Sequence, residues 1–301
     1  MRGRNAIAVA FRHPDGRIVW AAEPLTSGPH GWRWARAPFV RGLVVLYETV
    51  VVGTRWLIRS ANLQAQEEEG QEISRAAVAF MLGLVLVAGI GVFFLLPLFV
   101  ATVTTANIEQ GFAQHLVEGG VRVALFIGYL ALISRAPDIR RVFQYHGAEH
   151  MTIHALEAEE ALTTANVRRH PTAHPRCGTE FLVVLIALSI IAFSLVGKQS
   201  LPVMVVSRIL LIHVLAAVGY EVLRWGARHR ANPIVKAIMW PGILVQMITT
   251  KRPSDDQIEI AIASMEQALE ADGESIPAGS DQPARDPLRL PGAVPAASDG
   301  A

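Results

Sequence analysis

A chain of 301 residues with 27 basic and 26 acidic side chains is nearly neutral, at +1, yet 51% hydrophobic. Scattered arginines on balanced charge leave no nucleic-acid footprint, and one cysteine excludes an internal disulfide, so no redox compartment is demanded. The apolar residues fall in long blocks rather than amphipathic stripes, which points to a mainly α-helical, polytopic membrane protein.

Residues 1–37 read as a β-ribbon: Asn5 to Phe11 and Ile18-Val19-Trp20 flank the turn chemistry of Pro14-Asp15-Gly16. Such a ribbon is marginal alone and is expected to rest on the membrane-proximal body. Residues 38–75 read as an interfacial helix, Pro38 to Ser60, then a polar linker, Gln64 to Ser74. Glu48 at the centre of that helix is expensive in lipid, which favours the interface over a span.

Four spans follow. Residues 76–134 hold the first two, Ala76 to Ala106 and Gln114 to Ser134; residues 181–223 hold Phe181 to Gly197 and Leu201 to Leu223. Glu118 and Arg122 are spaced to pair on the outer turns of the second span. Arg208 and His213 lie inside the fourth, where Arg208 snorkels, pairs with Glu118, or lines a polar path. Residues 224–271 read as an interfacial or re-entrant hairpin, Ile234 to Thr250, broken at Trp240-Pro241-Gly242, and a peripheral helix, Asp255 to Ala271. Residues 272–301, rich in Pro, Gly, Ala and Ser, read as a disordered, dispensable tail.

Orientation follows from basic residues. Ten arginines precede residue 76, six lie in 135–180, and Arg224, Arg228, Arg230 and Lys236 follow the fourth span. The opposing loops have Lys198, with Arg122 just inside the second span. This asymmetry predicts a multi-pass protein of the cytoplasmic (inner) membrane, with both termini and the 135–180 segment cytoplasmic.

That segment, a His-rich helix and loop, carries the chemistry. After Pro137 and Asp138, which suit a helix start, comes Tyr145-His146-Gly147-Ala148-Glu149-His150-Met151-Thr152-Ile153-His154. At about 100° per residue, His150 and His154 fall roughly 40° and 80° from His146, with Glu157 near 20°, all on one face. Two imidazoles at i and i+4 can share a metal, and an adjacent glutamate can handle a proton of the attacking water; H-x-x-E-H is the inverted zinc-protease pattern. A second cluster, His170 to Gly178, adds His174 and Cys177 in a proline-flanked loop. Nitrogen and thiolate donors suit a divalent metal, zinc first, with iron or another first-row metal as alternatives.

His146 and His150 are the first two expected ligands, and His174 or Cys177 is the third, because a returning loop closes a tetrahedral site better than another residue of the helix. His154 ligates or orients a ligand. Glu149 is the expected catalytic residue, with orientation of an imidazole as its other role; Glu157 has the same two readings. Glu221, where span four leaves the membrane, reaches the site or pairs with Arg224. Arg140, Arg141 and Arg176 are placed to hold an anionic group. His170 is expected to face solvent, and His13, His30 and His229 have no assigned role.

The run from Tyr145 to His154, followed by His174-Pro175-Arg176-Cys177-Gly178-Thr179, closely resembles the YqhQ-like bacterial membrane proteins, a family of unknown function described as metal-dependent. Arg41-Gly42 with Glu48, Gly219-Tyr220-Glu221, and Pro241-Gly242 running into Thr249-Thr250-Lys251-Arg252-Pro253 extend the resemblance over roughly residues 2–265. It implies a membrane location and a bound metal, and it supplies no substrate. Members of that family begin with a Gly-Gly-Gln-Ala stretch leading to Met-Arg-Gly. This chain opens at Met1-Arg2-Gly3, so the resemblance implies a segment ahead of it.

Two function classes stand at this point. One is a membrane-bound metal-dependent hydrolase at the cytoplasmic face, acting on a lipid, a lipid-linked molecule or a peptide, with membrane lipids as partners. The other is a non-catalytic metal-binding membrane protein: a sensor, scaffold or transporter. An open metal position favours the first and four protein ligands favour the second. The sequence leaves the oligomeric state open.

Overall fold

A computed structural model of the chain describes residues 1–13, 15–25, 32–68, 74–104, 112–174, 177–196, 200–229 and 231–288. Four of its helices are long and apolar enough to cross a membrane, over Ala76–Thr104, Leu116–Ile133, Gly178–Leu195 and Val205–Arg228. The first is built of α2 (Arg75–Ile90), a π-helical turn (Gly91–Leu95) and α3 (Leu96–Thr104). The others are α4 (Phe112–Ile133), α7 (Gly178–Val196) and α8 (Leu201–Arg228), with α5 and α6 lying between them in the chain.

The irregular turn has a cause in Pro97, which has no N–H to offer the Phe93 carbonyl four residues back. Arg122 Nε donates to that carbonyl at 3.0 Å. Arg122 also bonds Ser189 (3.0 Å) and Glu118 (2.8 Å), and Arg208 reaches the same carboxylate at 2.7 Å. All three charged groups are buried, with both guanidinium groups near the Phe193 ring. Arg208 therefore pairs with Glu118 and pins α4, α7 and α8 together, while His213 lies exposed on α8.

Helix α1 (Val40–Glu68) packs on α8, where Gly42 meets Tyr220 so closely that a Cβ would lie 2.6 Å from the tyrosine Cβ. It runs into the expected linker, replacing residues 64–68 of it with helix. Helix α9 (Pro233–Thr249) corrects the expected broken hairpin: it is continuous through Pro241 and packs on α7 and α4. Gly242 lets it approach, since a Cβ there would lie 2.7 Å from Glu180 Cγ.

The remaining elements form one lobe. Strands β1 (Ala6–Arg12) and β2 (Ile18–Pro24) pair antiparallel around the turn at Gly16, whose φ of 91° suits glycine; Pro14 of that turn lies outside the described residues. The ribbon rests on α10 (Asp255–Asp272), which also packs against α5 (Pro137–Glu157) and α6 (Thr164–Val167). Apolar faces of α5, α6 and α10 meet through Met151, Val167, Ile258 and Ile262, joined by Leu162 of the α5–α6 connection, all fully buried. The expected peripheral helix is thus the centre of this lobe: strands cover one side, helices the other, and nearly all of 257–269 is buried. Its small residues, Ala261, Ala263 and Ala268, permit that coverage on both sides.

The tail is corrected over 272–288. Asp272 accepts from the backbone N–H groups of Arg4 (2.5 Å) and Asn5 (2.7 Å), and Ser280 and Asp281 bond the backbone of Leu162 and Thr164. Strand β3 (Arg285–Pro287) then pairs parallel with β2, and Arg285 reaches the buried Glu266. Residues 289–301 lie outside the described residues. Segments before the first, between the second and third, and after the fourth apolar helix therefore share one lobe, as an even number of crossings requires.

Candidate metal centre

Helix α5 starts with Pro137 in its first turn and Asp138 beside its N-terminal N–H groups, then presents its histidines to the 170–177 loop and the end of α9. One nitrogen each from His146 and His150 and the Cys177 sulfur all lie within 4.8 Å of one another. His146 Nε2 is 3.0 Å from Cys177 Sγ, while its Nδ1 is 2.9 Å from the Thr249 carbonyl. A carbonyl only accepts, so Nδ1 carries the proton and Nε2 keeps its lone pair. His150 repeats the device, with Nδ1 donating to the Thr172 carbonyl at 2.7 Å. Backbone carbonyls thus fix both rings and both tautomers, the outer support metal-binding histidines use.

Burial pushes the Cys177 thiol up, but its interactions with His146, His150 and Thr179 together outweigh it and bring the pKa down to about 6. Thr179 adds a hydroxyl donor to the sulfur at 3.2 Å, at the start of α7. The same contact acts on His146 in the opposite sense. Burial is the largest influence and lowers its pKa, but Cys177, the Thr249 carbonyl and Glu149 together more than offset this, leaving it above the ordinary value.

The other predicted residues divide. His154 Nε2 donates to the Ala173 carbonyl (2.9 Å), and His174 Nε2 faces Glu157 (3.4 Å); neither joins the three-residue cluster. Their rings continue it as a row: 4.4 Å between the centroids of His146 and His150, 5.8 Å to His174, and 4.5 Å from there to His154. Burial first, and His154 next, push the pKa of His174 down to about 4. His170, expected in solvent, is 18% exposed and sits 3.3 Å from Glu160, its ring stacked on His154.

Glu221 does not reach the cluster. It accepts from Arg41 Nε (2.7 Å) and the Phe39 N–H (3.1 Å), anchoring the start of α1 to α8. Arg140 and Arg141 are exposed and line neither cavity at the site, and Arg176 lies outside the described residues. The arginines that do line these cavities are Arg2, Arg4 and Arg224.

Glu149 lines a cavity of about 490 Å³ with His146, His150, His174 and Cys177, walled on its far side by Met1, Arg2 and α10. Its carboxylate makes no hydrogen bond or ion pair among the described residues. Its charge acts on the Met1 ammonium and on His146.

Supporting residues that sequence reasoning missed are Thr172, Gln246, Thr249 and Glu180. Buried Gln246 clamps the loop, accepting from His174 N–H (2.8 Å) and donating to His174 C=O (3.0 Å), and its Nε2 lies 3.5 Å from Glu180. Gln246 is the sole polar residue of the run Pro241 to Ile248, a signal of buried function that could have been read. Gly147 explains itself here: Lys251 N donates to the Phe143 carbonyl (2.9 Å), and a methyl on Gly147 would overlap the Lys251 carbonyl.

Four apolar helices carrying a His/Cys cluster between the second and third define a polytopic helical membrane protein. The chain belongs to the family described as "Protein of unknown function (DUF1385)", which matches residues 37–271. It is similar to "Uncharacterized protein YqhQ" of Bacillus subtilis (strain 168), 32% identical over 279 residues that cover 89% of this chain and 88% of that relative. No solved structure matches it significantly.

Proposed function

We propose that this protein is a metal-dependent hydrolase of the bacterial cytoplasmic membrane, with its site in the lobe at the cytoplasmic face. One observation carries the reading. Two imidazoles locked by backbone carbonyls face a low-pKa thiol, and an uncommitted carboxylate, Glu149, shares their cavity.

The donor set of two imidazole nitrogens and a thiolate fits a divalent ion, zinc first, with iron or another first-row metal as alternatives. His146, His150 and Cys177 would hold it, and when bound it supplies a Lewis acid for hydrolysis. Glu149 takes the proton of the attacking water and returns it to the leaving group. His154, His174 and Glu157 support the ligand row from behind, and Gln246 keeps the loop closed on it. Among the described residues no fourth His, Cys or carboxylate joins the three donors, and the cavity lies on their open side. Those two facts favour a hydrolase over a closed sensor, scaffold or transporter site.

The test is metal content and rescue of a deletion strain by variants of the full chain. Glu149→Gln should keep the metal and fail to rescue, whereas His150→Ala should lose both. Full rescue by Glu149→Gln would discard catalysis and leave a metal-binding protein.

A further inference from the structure

The cavity at the cluster does not end at Cys177. A second cavity, about 620 Å³, shares Arg2, Glu149, Cys177 and Gly178 with it and continues between α1, α7 and α8. Gly178 leaves the junction open, since a Cβ there would meet nothing within 4 Å. Along this path the wall changes character. Near the cluster it is histidine, carboxylate and arginine; beyond it Val45, Leu46, Phe181 and Leu223 supply an apolar surface.

The apolar part runs along the first turn of α7 and the last two turns of α8, both membrane-crossing by length and composition. It therefore lies at the level where acyl chains meet headgroups. Two cations stand there. Arg224 makes no hydrogen bond or ion pair among the described residues, and Arg2, bonded to Glu48 at 2.8 Å, keeps 28% of its side chain exposed. A guanidinium at that depth attracts phosphate. A peptide would instead bring a backbone in need of partners, and helical walls have satisfied theirs internally.

We infer that this groove seats a phosphate-bearing lipid of the bilayer. An acyl chain lies against Val45, Leu46, Phe181 and Leu223, the phosphate lies near Arg224 and Arg2, and the headgroup end is delivered to Glu149 and Cys177. The inference rests on the hydrolase reading and narrows its substrate class to phospholipids.

The test uses the full chain in vesicles of phosphatidylethanolamine and phosphatidylglycerol. These carry a trace of phosphatidylglycerol with a diazirine in its tail or, in parallel, of diacylglycerol with the same tail. After photolysis, labelled positions are mapped by mass spectrometry and metal content is measured on the same sample. The phospholipid probe should label Val45, Leu46, Phe181 and Leu223 above Leu84, an exposed residue of α2 that reports bulk lipid. Arg224→Ala should cut groove labelling several-fold and leave Leu84 unchanged, and Leu46→Trp, which fills the groove, should do the same. The uncharged probe should label the groove weakly.

Groove labelling no stronger than at Leu84, or unmoved by Arg224→Ala, or equal with both probes, overturns the inference. His150→Ala should retain the label, because α1, α7 and α8 build the seat. In the wild type, metal binding without groove labelling defeats the lipid seat alone, and groove labelling without metal binding defeats the hydrolase reading alone.

Discussion

Gly147→Ala reverses a rule of helix chemistry. In a helix interior, glycine to alanine stabilises by about 1 kcal/mol through backbone entropy. At Gly147 the added methyl would overlap the Lys251 carbonyl, with that carbonyl's carbon at 3.2 Å and Thr172 Cγ2 at 3.4 Å. The obstacle is backbone and has no rotamer to move to, so α5 and the 249–252 segment must separate. Overpacking of this kind costs about 1–3 kcal/mol. Separation also stretches the bonds from Lys251 N to Phe143 and from His146 Nδ1 to Thr249, each contributing about 0.5–1.5 kcal/mol. The net expectation is destabilisation by about 1–3 kcal/mol, with metal affinity down by about 10–100-fold because His146 loses its orienting carbonyl. Gly53→Ala is the control, since it lies in α1 with nothing within 4 Å of the new methyl. Apparent melting midpoints in detergent, with metal titrations of both variants, provide the readout. A midpoint for Gly147→Ala at or above wild type, with unchanged metal affinity, would refute the reasoning.

The remaining expectations concern the lobe and its placement. Arg285→Ala should destabilise by on the order of 3 kcal/mol, because it leaves the fully buried Glu266 carboxylate without its cation. Adding Glu266→Gln should recover much of that loss, and no change on removing Arg285 would show that the tail contact is idle. Burial holds the Glu266 carboxyl above its usual range, against the pull of Arg285. Its contribution is thus full below the ordinary glutamate pKa and declines as pH rises through the higher folded value. Glu266→Gln should flatten that slope in pH-dependent melting, and an unaltered slope would contradict the burial argument. Ending the chain at Asp272 should lower the melting midpoint and expose Leu162 to proteolysis, since Ser280 and Asp281 bond its backbone; an unchanged protease pattern would show that this strap is dispensable. A reporter fused at Ala165 should give a cytoplasmic signal, and an external one would reverse the assigned orientation.

The four apolar helices were readable because lipid demands long, predominantly apolar runs, and the ribbon because its turn chemistry is local. The spacing of His146 and His150 showed a shared face, and Cys177 stood out as the lone thiol. What the sequence hid was long-range. Nothing local says that α10 will be covered on both sides, since its second cover comes from strands some 250 residues away. Residues 272–288 lack apolar periodicity because they dock mainly through hydrogen bonds and the buried Arg285–Glu266 ion pair, with Ile276 as a single apolar contact. Pro241 signalled a break that α9 does not show, because packing against α7 and α4 holds the helix through it. Glu221 had the depth to approach the cluster, yet Arg41, 180 residues away in the chain, captures it.

The most direct test of the central claim is X-ray absorption at the zinc edge on the full-length protein loaded with one equivalent of zinc. A shell of one sulfur at about 2.3 Å and two imidazole nitrogens at about 2.0–2.1 Å, with the remaining donor oxygen, is expected. The sulfur should vanish in Cys177→Ser, and one imidazole should vanish in His150→Ala. A shell with no sulfur in the wild type, or zinc that washes out at one equivalent, would contradict it.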